Sequence, residues 1–99
     1  MLRAMRAEGP RTAVVTMGAA GAAALDNASR LLTIPAHRVR VVDTTGAGDA
    51  YHGAFAFGML HRRSLRWTMR FASVVAALKC RSLGGRKGLP TLREALARI

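Results

Sequence analysis

Asp43-Thr44-Thr45-Gly46-Ala47-Gly48-Asp49-Ala50 is the stretch on which the reading of the fold turns. On its N-terminal side, His37 to Val42 alternates polar and apolar, with Val39 and Val41 on one face, and predicts a strand. On its C-terminal side an apolar run extends to Leu60 and predicts a helix from about Gly46, apolar nearly all round and therefore buried. A tight turn of small residues between strand and helix leaves the first helical N–H groups without intrahelical partners. Those donors and the helix dipole make a site for an anion, typically phosphate. Gly46 and Gly48 let the backbone take positive φ and come close to a ligand, and Ala47 adds little bulk between them.

Asp49 stands at the mouth of this cradle, where its charge opposes that of a phosphate. Aspartate caps helix N-termini well, which is one reading. The other is a general base that takes a proton from a hydroxyl attacking a phosphoryl group held by the neighbouring N–H groups. One residue can fill both roles.

The rest of the chain reads as short strands, then helices. Residues 1–10 read as a helix tail or irregular start, stopped by Gly9-Pro10. Ala13 to Met17 is a buried strand, Gly18 to Gly21 a small-residue turn and Ala22 to Leu25 a second strand. Asp26-Asn27 marks a turn, and Arg30 to Ile34 a third strand ended by Pro35, so His37 to Val42 is the fourth. Ser64 is an N-cap for a helix from Leu65 to about Arg81, amphipathic first and wholly apolar from Ala72 to Leu78. Leu83 to Pro90 is a glycine-rich basic loop, and Thr91-x-x-Glu94 is a capping box before a last short helix.

The chain has 99 residues, 51% of them hydrophobic, which suits one small α/β unit. No apolar run reaches membrane-spanning length, and residues 1–10 lack the apolar core of a secretory signal. The single cysteine, Cys80, excludes an intrachain disulfide, fits a cytoplasmic chain and reads as a small buried side chain. His52 and His61 have no second ligand at metal spacing and read as structural. The formal charge of +11 admits a small basic nucleic-acid-binding protein. The cations are scattered, however, and no aromatic residues interleave with them as a stacking platform would.

Asp43 to Ala56, DTTGAGDAYHGAFA, resembles the C-terminal signature of the ribokinase-like (PfkB) sugar kinase family. Thr16-Met17-Gly18-Ala19-Ala20-Gly21 resembles that family's Thr-x-Gly-x-x-Gly nucleotide segment. Phe71 to Leu78 and Gly84 to Pro90 resemble its adenine-side helix and the loop that follows, so the likeness covers the chain from about Thr12 onward. The resemblance implies an α/β fold, residues 1–99 being a single partial domain, the C-terminal portion of a three-layer α/β/α sandwich. It implies ATP-dependent phosphorylation of a sugar or sugar-acid hydroxyl, with Asp49 as general base. The backbone N–H groups of Gly46, Ala47, Gly48 and Asp49 would form an anion hole. Thr16, Gly18 and Gly21 would border the nucleotide, with Ser73 and Ala76 beside its base. Asp43 and Thr45, together with Gly84 and Gly88, would hold a monovalent cation such as K+, and Mg2+ would accompany ATP.

Members of that family are considerably longer, and the resemblance implies that their N-terminal portion supplies the sugar-binding residues, a lid and an acidic motif for magnesium. The five acidic residues here, Glu8, Asp26, Asp43, Asp49 and Glu94, include no second cluster for that ion. The implied partners are ATP, a small sugar or sugar acid, and either the missing N-terminal portion or a second copy. A truncated, catalytically inactive nucleotide-binding fragment is the alternative that the same residues allow.

Overall fold

The computed structural model describes residues 2, 12–26, 28, 30–81 and 90–99. The expected start at residues 1–10 lies outside them except for residue 2, and so does the loop of residues 82–89 with Gly84 and Gly88. Short runs of alanine and β-branched residues make the sheet. Strands β1 (Ala13–Thr16), β2 (Ala22–Leu25) and β3 (Leu31–Ile34) pair antiparallel in the order β1-β2-β3. Ala13 lies opposite Leu25, and Ala22 lies opposite both Thr16 and Ile34. Ala22 and Ala24 are buried on the face that meets the helices.

Both hairpin turns have a local cause. Between β1 and β2, Gly18–Ala20 forms a 3-10 turn, and the Met17 N–H donates to the Gly21 carbonyl at 2.7 Å. Gly21 sits at φ +93, and a Cβ there would run into the Ile34 carbonyl, so the turn requires glycine. Between β2 and β3, Asp26 Oδ1 accepts the N–H groups of Arg30 and Ala28, each at 2.9 Å. The Arg30 N–H above all, then that of Ala28 and the Arg30 guanidinium, holds the Asp26 carboxyl below its ordinary range.

Three helices follow: α1 (Ala47–Leu60), α2 (Leu65–Lys79) and α3 (Leu92–Leu96). Ser64 caps α2 as expected, its hydroxyl accepting from the Trp67 N–H at 3.1 Å. Thr91 caps α3 by accepting from the Glu94 N–H at 3.1 Å. The reciprocal half of the capping box is replaced by an ion pair, Glu94 to Arg81 at 2.7 Å, which ties α3 to the end of α2. Helices α1 and α2 pack tightly where Gly58 meets Thr68: a Cβ on Gly58 would lie 2.5 Å from Thr68 Oγ1 and 2.7 Å from its methyl. Phe57 and Trp67 flank Phe71, with ring centroids 5.3 and 4.9 Å away.

Two expectations need correction. His37 to Val42 is not a strand. A ladder needs a neighbour, and the described sheet stops at β3, leaving Val41 and Val42 more than half exposed at 59% and 53%. Nor is α1 buried all round: Tyr51, Ala54 and Gly58 are, but Met59 and Leu60 are 52% and 82% exposed. Helix α2 covers one side of α1, and no described residue covers the opposite face.

The Gly58–Thr68 contact yields a prediction. Gly58→Ala should lower stability by about 1–3 kcal/mol, because Thr68 is fully buried and branched at Cβ. This loss should exceed the roughly 1 kcal/mol of helix propensity that alanine contributes over glycine. Adding Thr68→Ala should recover part of it. Urea denaturation of the two single variants and the double variant measures the coupling, and strictly additive losses would overturn the close-contact account.

Candidate active site

The signature stretch is held from outside and from within. From outside, the Cys80 carbonyl, just past the end of α2, accepts the N–H groups of Val42 at 2.7 Å and Asp43 at 3.1 Å. From within, Asp43 Oδ1 accepts the Thr45 N–H at 2.9 Å and the Thr45 hydroxyl at 2.7 Å. Gly46 then takes the left-handed conformation, φ +76, as N-cap of α1, where a residue with Cβ would be strained. The next turn closes through Ala47 N–H to Thr44 carbonyl at 3.1 Å and Ala50 N–H to Gly46 carbonyl at 2.9 Å.

This hydrogen bonding sorts the four expected anion donors. The N–H groups of Gly46, Gly48 and Asp49 have no partner among the described residues, whereas that of Ala47 is committed to Thr44. Gly48 is exposed, and a Cβ there would meet nothing within 4 Å, so the turn is open at that point. Asp49 is the third residue of α1 rather than its N-cap, because the left-handed Gly46 starts the helix. Its side chain is exposed and has no hydrogen-bond partner among the described residues. A carboxylate in the first turn of a helix interacts favourably with the helix dipole.

Thr45, Gly46 and Asp49 open onto a groove of about 690 Å³, floored by Phe57, Phe71 and Val75 and walled by Thr91. Asp43 joins this group through Thr45. The other expected residues lie elsewhere. Thr16, Gly18 and Gly21 sit at the β1–β2 turn, where Gly21 packs on Ile34 and Pro35, and none of the three lines the groove. Ser73 lines a second groove beside β3, and Ala76 is half-buried against the core. Among the described residues no three His, Cys, Asp or Glu side chains come together as a metal site. The Asp43 carboxylate and Thr45 hydroxyl are oxygen donors of the kind a hard monovalent cation takes.

Two features escaped the sequence. The Cys80 carbonyl carries no side-chain signal and comes to Asp43 only through the fold. The groove floor had a faint one, the apolar pair Phe71 and Val75 at helical spacing. Beneath the site, the Tyr51 hydroxyl is buried without a hydrogen bond of good geometry. Burial pushes this phenol above its ordinary 10.0, outweighing an opposing influence from the Ser73 hydroxyl.

The turn thus brings three N–H groups without a partner among the described residues and an exposed carboxylate to the start of one helix, an arrangement that can take an anion. Residues 1–92 match the pfkB family of carbohydrate kinases, and the chain belongs to that family. It is 41% identical over 86 residues to a ribokinase of Lactococcus lactis, a span that is 87% of this chain and 28% of that one. An Arabidopsis thaliana ribokinase solved with ribose and ATP matches at a TM-score of 0.88 and 28% identity, over 96% of this chain and 31% of that one. A Burkholderia thailandensis nucleoside kinase solved with inosine matches at 0.88 and 33% identity, over the same shares of 96% and 31%. The fold is therefore part of a ribokinase-like α/β sandwich, and the chain spans less than a third of these relatives' length. No helix among the described residues is long and apolar enough to cross a membrane.

The buried phenol sets a pH dependence. Because the folded state holds the Tyr51 proton more tightly than the unfolded state, stability should fall as pH rises through and above 10.0. Tyr51→Phe should remove that part of the alkaline loss and leave stability at neutral pH unchanged or higher. Thermal melts of both chains from neutral to alkaline pH test this; alkaline losses of equal size in the two would refute the assignment.

Proposed function

We propose that this chain is the part of an ATP-dependent kinase that binds nucleotide and carries the catalytic base, acting on a hydroxyl of a sugar or sugar acid. The observation that carries the reading is the position of Asp49, exposed in the first turn of α1 and opening onto one groove with Gly46. Bound ATP, with Mg2+ neutralising its phosphates, supplies the phosphoryl group. Asp49 accepts the proton of the attacking hydroxyl. The N–H groups of Gly46, Gly48 and Asp49 donate to oxygens on which negative charge develops. Ala47 adds a fourth donor only if its bond to Thr44 opens.

In this proposal Thr16, Gly18 and Gly21 border the nucleotide, and Ser73 and Ala76 lie toward its base. Asp43 and Thr45 hold K+, with Gly84 and Gly88 from the loop outside the described residues. The relatives solved with ribose and with inosine support a ribose-sized polyol as acceptor. The carboxylates that organise magnesium, and the residues that grip the sugar, belong to the two-thirds of the kinase that this chain does not span, in a cytoplasmic enzyme.

The test is a chimera in which this chain replaces the matching segment of the Lactococcus lactis ribokinase. It should phosphorylate ribose, and Asp49→Asn should cut kcat by about 10²–10⁴ while Mg-ATP affinity changes less than about threefold. Retained turnover would remove Asp49 from the role of base. The short span favours a second reading, a fragment that binds nucleotide without transfer. It predicts that Mg-ATP raises the melting temperature of the 99-residue chain while no ADP forms with ribose present.

A further inference from the structure

One guanidinium joins the end of α2 to α3. Arg81 Nη2 donates to Glu94 Oε2 at 2.7 Å, and Arg81 Nε donates to the Leu78 carbonyl at 3.3 Å. The Arg81 backbone N–H reaches that same carbonyl, also at 3.3 Å. The Glu94 carboxylate therefore serves Arg81, while the Glu94 N–H is the donor that Thr91 caps. A guanidinium is planar, so a carboxylate that fixes Nη2 fixes Nε as well.

What this pair holds is a peptide plane. The Cys80 carbonyl and the Arg81 N–H are two edges of one peptide group, which is rigid. One edge is bound to Leu78, and the other accepts the N–H groups of Val42 and Asp43. Tilting the plane moves both edges together. From the Cys80 carbonyl the bonds run on to Asp43, from the Asp43 carboxylate to Thr45, and through left-handed Gly46 into the first turn of α1. Helix α3 comes to the same place by a second route: Thr91, Leu92 and Ala95 line the groove onto which Thr45, Gly46 and Asp49 open. An ion pair that only decorated the surface would hold neither a wall of that groove nor the plane that anchors its signature turn.

We propose that Glu94, acting through Arg81, is a positioning residue for the Asp49 turn. The pair sets the tilt of the Cys80–Arg81 peptide, and with it the direction of the signature turn relative to the α3 wall. The consequence for turnover rests on the reading of Asp49 as base; the hydrogen bonds do not.

Two readouts keep those apart. In the 99-residue chain, amide hydrogen exchange followed by NMR reads the Val42 and Asp43 N–H groups directly. Glu94→Gln keeps the size of the side chain and removes its charge. It should speed exchange at these two amides by about threefold or more, while the amides of β2 and of the middle of α2 change less than about 1.5-fold. Arg81→Lys, which keeps the charge and loses the fork, should do the same, and the double variant should be no worse than the worse single one, because both act through one link. Arg93→Gln, exposed on the same helix and outside these bonds, should change neither amide. In the chimera with the Lactococcus lactis ribokinase, Glu94→Gln should lower kcat by about 3–10-fold with KM for Mg-ATP changed less than about twofold. Exchange at Val42 and Asp43 that is unchanged by Glu94→Gln, rises equally at every amide, or rises equally in Arg93→Gln would overturn the proposal. Faster exchange there with kcat unaltered would overturn the positioning role where Asp49→Asn abolishes turnover. Where Asp49→Asn also turns over, the fault lies with the base, and the exchange result alone decides the role of the pair.

Discussion

One carbonyl oxygen, that of Cys80, receives the N–H groups of both Val42 and Asp43, and the geometry of the signature turn depends on it. It joins the end of α2 to the approach of α1, two helices that also meet at Gly58 and Thr68 and through the rings of Phe57 and Phe71. With one end of the turn fixed, the Asp43 carboxylate can hold the Thr45 N–H and hydroxyl, and Gly46 can take its left-handed conformation. The open N–H groups that follow have a defined direction only because the residues before them are fixed. An anion site works by preorganisation, so the bonds behind the turn matter as much as the donors in front of it.

The electrostatics divide the molecule. The acids of the described residues are largely committed to geometry: Asp26 shapes a hairpin, Asp43 a turn, and Glu94 the junction of α2 and α3. Partly exposed pairs such as Arg81–Glu94 contribute little to stability, about 0–1 kcal/mol each, and serve chiefly to set position. Asp49 alone among these described carboxylates has no bond of that kind. Arg38, Arg66, Arg70 and Arg98, from three segments of the chain, line the groove beside β3, and no carboxylate among the described residues lines it with them.

Local chemistry made much of the fold legible. Gly18 and Gly21 announced a turn that needs positive φ, Asp26 a hairpin, Ser64 and Thr91 two caps, and each forms where the residues place it. These are interactions within a few residues, so sequence carries them whole. The failures share another cause. His37 to Val42 alternates like a strand, and α1 is apolar like a buried helix, but strand pairing and burial are completed by neighbours. The described part of this chain supplies one side of each. The relatives, about three times longer, have chain to spare for the other side. The fold holds Thr16, Gly18 and Gly21 at one turn, with Gly21 against Ile34, Pro35 and Ala36, and those three residues line the groove beside β3 together with Ser73.

The sequence by itself determined the family of the protein and the residues of its signature turn. Glycine at a left-handed N-cap, a small residue after it and an aspartate in the first helical turn are requirements of backbone geometry and charge that act over one stretch. Tertiary structure decided which of those N–H groups stay open, what fixes the turn from behind and which side chains floor the groove. It also decided that arginines from three segments converge on one recess. These depend on groups far apart in the chain, and only the packing of α1, α2 and β3 brings such groups within hydrogen-bonding or Coulombic reach.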